Sequence, residues 1–219
     1  LLEFLGFEVV VLKNRKCCGR PMISKGLLDQ AGKNARHNVE LLLPYVQQGV
    51  KIVGCEASCI SAITDDWPDL LDGEKQSKEI ADAVITIEEL LVETFGDGDQ
   101  QIQWTDVAKK VQFFGHCHQR TLTGTSITMV ALNFPPNYQA TEISAGCCGM
   151  AGSFGYEKNH IDIASAVGED RLFTAVRDSD PNVEIATSGV SCREQIGFNT
   201  QHHSRHVVEV LAEALTLND

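Results

Sequence analysis

The stretch CCGMAGSFG, residues 147–155, decides how this sequence is interpreted. Its two adjacent cysteines follow a β-rich run, and its three glycines let the backbone approach an anion closely and turn amide groups towards it. We expect the next helix to start near Tyr156. A phosphate-binding loop needs no thiol, so the pair Cys147 and Cys148 favours a metal–sulfur anion over a nucleotide.

The same motif occurs earlier in the chain, at Cys17-Cys18-Gly19. Each motif is followed by a Ser-Cys pair that opens a predicted helix: Cys59 lies 41 residues after Cys18, and Cys192 lies 44 residues after Cys148. The matching order and spacing predict a duplicated unit. Two coincidental cysteine pairs in unrelated segments are the alternative.

Short β-rich runs alternate with longer helical patterns along the whole chain, which is typical of βαβ units. We therefore predict an α/β fold of two pseudo-repeated lobes, each a small, mainly parallel sheet flanked by helices. The polar stretch Gly96–Gln101 is the candidate linker, so residues 1–98 form the first repeat and residues 99–219 the second. The predicted strands are 8–12, 50–54, 111–115, 140–144 and 183–187, and the main predicted helices are 26–48, 58–66 and 75–95.

Charge and hydropathy limit the classes of partner. The 219 residues include 30 acidic and 18 basic side chains, a formal net charge of -12. Such a chain repels a phosphate backbone, and it has no basic run, so we expect no nucleic-acid partner. No apolar run approaches the roughly 20 residues that span a bilayer, and no signal-peptide pattern is present. We therefore predict a cytoplasmic protein.

The eight cysteines need a chemical explanation. A reducing cytosol disfavours structural disulfides, so metal ligation or redox chemistry is the expected use, with a disulfide framework as the alternative. The first residue is not Met, and residues 1–7 resemble the last turns of an amphipathic helix, so we expect a part of a longer polypeptide.

The second half offers a full set of four sulfurs, from Cys117, Cys147, Cys148 and Cys192. Four thiolates match the ligands of an iron–sulfur cluster. Structural zinc also takes four sulfurs, but zinc sites usually use pairs two to four residues apart, and the contiguous pair here differs from that pattern. Zinc and a vicinal dithiol switch stay as alternatives.

His116 and His118 flank Cys117 at a predicted strand end, where alternation places both imidazoles on one side and the thiol on the other. They are candidate cofactor-binding residues, with hydrogen bonding to the turn as the alternative. Arg193 follows Cys192 and is a candidate to offset cluster charge or to form a surface ion pair. The histidines of the run 202–206 are expected on the surface.

The first half is less complete. It offers Cys17, Cys18 and Cys59 as candidate metal ligands, together with the nearby Cys55, which lies four residues before Cys59. Cys55 reaches a shared site only if the turn is tight. A buried cysteine that acts as a small hydrophobic residue is the alternative for that position.

Four stretches carry a resemblance to a known family: HCHQ at 116–119, CCGMAGSFGYE at 147–157, GEDRL at 168–172 and SCREQI at 191–196. Together they resemble the CCG cysteine-rich domain pair of the heterodisulfide reductase B-type subunits and of the iron–sulfur subunits of anaerobic glycerol-3-phosphate dehydrogenase and glycolate oxidase. The long second motif looks most similar to the C-terminal part of FAD-linked D-lactate dehydrogenase-like oxidoreductases. The first repeat departs from the pattern, because CEASC at 55–59 lacks the usual proline and adds a thiol.

The resemblance implies an iron–sulfur electron-transfer region of a flavin-linked 2-hydroxy-acid dehydrogenase of the D-lactate or glycolate type, not catalytic on its own. It implies a 4Fe–4S cluster held by the four second-half cysteines beside Gly149, His116 and His118, and weaker ligation by the first-half cysteines. FAD is expected on a flavin-binding domain of the same polypeptide or a partner subunit, with a quinone or other acceptor downstream. It leaves open a peripheral association with the inner face of the membrane. A heterodisulfide or thiol-disulfide reductase and a structural zinc or apo docking scaffold are the alternatives.

Overall fold

The computed structural model describes residues 1–96 and 102–216. Two compact units divide the described residues: Val10–Ile87, here called the first lobe, and Leu1–Val9 with the described part of Glu88–Asp219, here called the second lobe. Residues 97–101 of the predicted linker lie outside the described residues. The predicted boundary between residues 98 and 99 therefore stays a prediction.

The first lobe is a two-stranded parallel sheet with helices around it. Strand β1 pairs with β2 in the register Ile52↔Val84. The core packs Trp67, Leu71 and Ile80 against small residues of the long helix α2. The elements of this lobe are α1 Arg20–Ser24, α2 Leu28–Val46, β1 Ile52–Gly54, α3 Ala57–Ser61, a π-helical turn Ala62–Asp66, α4 Trp67–Leu70, α5 Lys75–Ala83 and β2 Val84–Thr86; α6 Ile87–Phe95 begins at the boundary.

The second lobe contains a three-stranded sheet in the order β4-β3-β5, with both neighbouring pairs parallel. Phe113 and Phe114, at the end of β3, are buried in two apolar clusters. The elements are β3 Lys109–Phe113, α7 Cys117–Leu122, α8 Ser126–Leu132, β4 Tyr138–Glu142, a 3-10 turn Phe154–Tyr156, α9 Ile161–Glu169, α10 Leu172–Arg177, β5 Glu184–Ala186, α11 Val190–Thr200 and α12 Val207–Glu213.

The α/β prediction is confirmed, because each lobe has a small parallel sheet flanked by helices. Three local predictions are wrong. Residues 8–12 form no strand, and Val9, Val10 and Val11 are exposed. The predicted helix 75–95 is interrupted by β2, because the β-branched run from Val84 to Thr86 pairs with β1. The helix expected near Tyr156 begins at Ile161. No helix of the described ranges is long and apolar enough to cross a membrane.

The glycines of the two Cys-Cys-Gly motifs have the same backbone role. Gly19 and Gly149 have φ of 94° and 90°, in the region that favours glycine. Each lies against a helix later in the chain: a Cβ on Gly19 would approach Ala31 in α2, and a Cβ on Gly149 would clash with the carbonyl oxygen of Ala164 in α9. The glycine therefore lets the cysteine loop sit directly on the helix.

Gly149→Ala tests this close approach. We expect it to lower the free energy of unfolding by roughly 3 kcal/mol, because left-handed strain adds to a clash with the backbone of α9. Gly124→Ala is the matched control, since Gly124 also has a positive φ of 78° but a Cβ there would meet no atom within 4 Å. We expect that control to cost about 1–2 kcal/mol. Urea denaturation measures both, and equal losses would contradict the packing argument.

Candidate metal centre

The four cysteines of the second lobe lie where three neighbouring strands end. Cys117 is the first residue of α7, shortly after β3. Cys147 and Cys148 follow β4, and Cys192 is the third residue of α11, after β5. Because parallel strands all end at the same edge of a sheet, the topology carries residues distant in sequence to one edge.

Each of these sulfurs interacts with a neighbouring sulfur at this edge. The hydrogen bond with Cys148 and burial raise the pKa of Cys147 well above its usual range. Burial and the charge of Cys147 raise the pKa of Cys117. The hydrogen bond with Cys147 lowers the pKa of Cys148, but the hydrogen bond with Cys192 and burial outweigh it and raise this pKa to about 12. The structure thus brings together all four sulfurs that the sequence predicted.

Backbone amides point at this sulfur group. The amide of Gly149 donates to Cys147 Sγ at 3.3 Å, and the backbone of Ala151 also donates to this sulfur. The backbone of Met150 donates to Cys148. These N–H groups stabilise negative charge on sulfur. The positive φ of Gly149 gives the loop its turn directly after the cysteine pair.

His116 is buried at the start of α7, with 4% of its surface exposed. Its Nδ1 accepts a hydrogen bond from the amide of His118 at 3.2 Å, so the side chain caps α7. This agrees with the alternative in which His116 hydrogen bonds to the turn. Its ring lies on Gly189, where a Cβ would come within 2.3 Å of the imidazole and 3.3 Å of Cys192 Sγ. His118 lies in the helix with Cys117, so the expected strand alternation does not apply. Cofactor binding by either imidazole stays a prediction.

Two arginines hold the cysteine loops in place. Arg120 donates to the carbonyl oxygens of Ala145 and Gly146, directly before the cysteine pair. Arg193 donates to the carbonyls of Thr187 and Ser188, at 3.1 and 3.2 Å. Arg193 thus binds its own loop. Arg120 was not predicted from the sequence, although its position one helical turn after Cys117 is a usable signal.

A buried carboxylate supports the same loop. Glu88 is 3% exposed, and Ser188 Oγ donates to its Oε1 at 3.1 Å. These two residues are 100 positions apart, and nothing in the local sequence of either one marks the contact.

The first lobe brings together three sulfurs. Cys18 Sγ and Cys59 Sγ are 3.3 Å apart, and Cys17 also hydrogen bonds with Cys18. Cys59 is the third residue of α3, the position that Cys192 occupies in α11. Cys55 is exposed directly after β1, so the alternative of a buried apolar residue is wrong. Its role as a ligand stays a prediction.

The ionisation of the first-lobe sulfurs differs from that of the second lobe. The hydrogen bond from Cys59 lowers the pKa of Cys18 to about 6, and the same bond together with burial raises the pKa of Cys59 far above its usual range. One proton and one negative charge are thus shared by this pair. The backbone amide of Arg20 stabilises the thiolate, two residues after Cys18, as Met150 follows Cys148.

The donor set fits the ligand chemistry of an iron–sulfur cluster, which is held by cysteine thiolates. Among the side chains of residues 1–96 and 102–216, no group of three or more His, Cys, Asp or Glu is arranged to hold one metal ion. The four second-lobe thiols match the number of ligands that such a cluster needs. The amide donors beside them would stabilise the thiolates.

The fold and the site define a cysteine-rich α/β protein with one sulfur group in each lobe. In the comparison with known families, the sequence model of the CCG cysteine-rich domain matches residues 1–64. This match, together with the similarity to curated proteins, confirms the resemblance predicted from the motifs.

Similar curated proteins are oxidoreductases or their subunits. The chain is 28% identical over 216 residues to the C subunit of anaerobic glycerol-3-phosphate dehydrogenase of Escherichia coli K12, covering 98% of this chain and 53% of that protein. It is 28% identical to D-2-hydroxyglutarate dehydrogenase of Haemophilus influenzae, covering 98% of this chain and 21% of that protein. It is 22% identical to the glycolate oxidase iron-sulfur subunit of E. coli K12, covering 98% and 52%. The chain thus spans about half the length of two of these relatives and about a fifth of the third.

The shared proton in the first lobe gives a pH prediction. In the metal-free chain we expect Cys18 to be a thiolate above about pH 6, because the hydrogen bond that joins it to Cys59 lowers its pKa. Cys59→Ala removes the donor, so the pKa of Cys18 rises towards the value of an ordinary thiol, about 8.5. Cys59→Ser keeps a donor and is the matched control, with a low Cys18 pKa retained. The ¹³Cβ chemical shift of Cys18 as a function of pH measures all three, and an unchanged midpoint in Cys59→Ala would contradict the assignment.

Proposed function

We propose that the chain is the iron–sulfur electron-transfer region of a flavin-linked 2-hydroxy-acid dehydrogenase of the D-lactate or glycolate type. The observation that carries the proposal is the meeting of four sulfurs from three strand ends at one sheet edge of the second lobe. Each sulfur there interacts with the next: Cys117 with Cys147, Cys147 with Cys148, and Cys148 with Cys192. Three separate segments that converge on one sulfur group favour a ligand site over a chance pairing.

In this proposal the four cysteines bind a 4Fe–4S cluster, which accepts and releases one electron at a time. The protein residues supply binding and electrostatics. The amides of Gly149, Met150 and Ala151 offset the charge on sulfur. The raised pKa values of Cys117, Cys147 and Cys148 mean that these groups are thiols before metal binds and release protons when it does.

The names of the relatives support the choice of reaction. One is a 2-hydroxy-acid dehydrogenase and one is an iron–sulfur subunit of an oxidase that acts on glycolate, the simplest 2-hydroxy acid. We propose that reduced FAD, on a flavin-binding domain of the same polypeptide or a partner subunit, supplies the electrons. A quinone or other acceptor receives them. We further propose a cytoplasmic location, with peripheral association with the inner face of the membrane when the acceptor is a quinone.

The first lobe has a lesser part in this scheme. Cys17, Cys18 and Cys59 form its sulfur group, and we propose that it binds metal more weakly than the second lobe. Cys18 and Cys59 share one proton, which stabilises one negative charge on the pair. The first-lobe sulfurs therefore gain less from a bound cation than the second-lobe sulfurs do.

Metal analysis of cysteine variants tests the proposal. The chain is expressed and purified without oxygen, and iron, zinc and acid-labile sulfide are measured. We expect iron and sulfide in the parent chain, their loss in Cys147→Ser and Cys192→Ser, and their retention in Cys17→Ser, because the main site lies in the second lobe. Ser126→Ala, at the first position of α8 in the same lobe, controls for handling losses. Stoichiometric zinc without iron or sulfide would overturn the cluster.

Activity of the complete protein tests the substrate. With an artificial dye as acceptor, we expect turnover of D-lactate or glycolate, and we expect Cys147→Ser to slow transfer to the dye while a single turnover of flavin reduction persists. Loss of flavin reduction itself in Cys147→Ser would contradict a role of this cysteine in electron transfer after the flavin.

A second candidate function, thiol–disulfide exchange, is favoured by the geometry of the first lobe. Cys18 and Cys59 sulfurs are 3.3 Å apart and share a proton, so Cys18 is a nucleophilic thiolate near neutral pH. Oxidised glutathione would accept the electron pair as Cys18 attacks it and Cys59 displaces the glutathione, which leaves an intramolecular disulfide. We expect mass spectrometry to find the Cys18–Cys59 bond, and a mixed disulfide to accumulate in Cys59→Ala. Equal modification of all cysteines by glutathione would contradict this function.

A further inference from the structure

Arg120 joins the two segments that supply three of the four sulfurs of the second lobe. It lies in α7, about one helical turn after Cys117. Its guanidinium donates from Nη1 to the carbonyl oxygen of Ala145 and from Nη2 to that of Gly146, which directly precedes Cys147. One side chain therefore connects the helix of Cys117 with the loop of the cysteine pair.

The guanidinium is fixed from a second side. Arg120 Cζ lies 5.2 Å from the centroid of the Phe114 ring, and Phe114 is buried. A cation over an aromatic ring is attracted to it, so this contact stabilises the charged group where it lies. The stem of Arg120 packs on Gly115, where a Cβ would come within 3.0 Å of its Cγ. The position of the positive charge is thus set by a ring, a glycine and two carbonyl groups.

The charge of Arg120 reaches the sulfur group. A guanidinium stays protonated in proteins, and carbonyl groups do not neutralise it. Within residues 1–96 and 102–216, no carboxylate forms an ion pair with Arg120. Burial raises the pKa of Cys117, and the charge of Arg120 acts against that rise. The sulfur of Cys117 therefore lies within the electric field of an uncompensated cation.

A positive charge at this place favours the more negative of two redox states. The reduction potential of an iron–sulfur cluster depends on the net charge, the hydrogen bonds to sulfur and the solvent exposure of its site. The chain as a whole has a formal net charge of -12, which opposes the uptake of an electron. A fixed cation beside the ligands opposes that effect locally.

We propose that Arg120 sets the reduction potential of the second-lobe cluster and holds the loop of Cys147 in place relative to Cys117; this inference rests on the proposed function. Arg120 is a positioning residue, because it acts through the segments that carry the ligands. Uptake of one electron adds one negative charge to the site. The guanidinium stabilises that charge without a proton transfer and without a change in any covalent bond, so it raises the potential.

Redox titration of the anaerobically purified chain, followed by the electron paramagnetic resonance signal of the cluster, tests the effect of the charge. Arg120→Gln keeps a group that donates hydrogen bonds but removes the positive charge. At a fixed potential we expect the ratio of reduced to oxidised cluster to fall about tenfold, which for one electron is a shift of about 59 mV to lower potential. Arg120→Lys keeps the charge, so we expect it to retain most of the parent potential.

Hydrogen exchange of the metal-free chain tests the positioning. The amide of Gly149, which donates to Cys147 Sγ, reports on the loop. Arg120→Lys and Arg120→Gln both lose the planar fork that binds Ala145 and Gly146, so we expect this amide to exchange roughly tenfold faster in both variants. Lysine thus restores the potential but not the protection of the loop, and a purely structural role would move both measurements together.

Arg177→Gln is the matched control, because it removes the same charge from an arginine of the second lobe that is paired with Glu169. We expect parent values in both measurements. Iron and sulfide are measured on every sample, and Arg120→Met is the second variant if Arg120→Gln loses the cluster. A parent potential in Arg120→Gln, or an equal fall in Arg177→Gln, would overturn the role of Arg120 alone. Absence of iron and sulfide from the parent chain would overturn the proposed function, and this inference with it.

Discussion

The second lobe depends on one electrostatic constraint: several thiols must meet at a single sheet edge without several negative charges meeting there. Burial and neighbouring sulfurs raise the pKa values of Cys117, Cys147 and Cys148, so full ionisation of the group needs a compensating positive charge. The parallel sheet creates this situation, because its three strands deliver the cysteines to the same edge. Amide donors reduce the repulsion, and a bound cationic metal would remove it.

Close backbone approach is the packing consequence of this arrangement. The loop with the cysteine pair lies on α9 only because Gly149 has no side chain, and the ring of His116 reaches the start of α11 only because Gly189 has none. Arg120 and Arg193 then fix the carbonyl groups of the loops on either side. Contacts that involve no thiol therefore help to hold the cysteine loops at their distances from one another.

The cysteine set of the second lobe could be predicted from sequence, because adjacent cysteines and a Ser-Cys helix start are visible as local patterns. The parallel strands were also predictable from β-rich runs between helical patterns. Strand β2 was missed because its three residues continue an amphipathic helical pattern, and only pairing with β1 decides their conformation. The contact of Glu88 with Ser188 was beyond reach for the same reason: it joins segments whose local sequences contain no signal for each other.

The two lobes share one arrangement of cysteines, but the pKa of the second cysteine of each pair shifts in opposite directions. Cys18 and Cys148 each follow a cysteine, accept from the amide two residues later, and meet a cysteine in the first turn of a helix. Cys18 nevertheless has a lowered pKa, because the donated bond from Cys59 outweighs burial. For Cys148, the bond with Cys192 acts in the opposite direction, and the pKa rises. A group that already supports one thiolate is suited to nucleophilic sulfur chemistry, whereas a group that resists ionisation gains most from a metal.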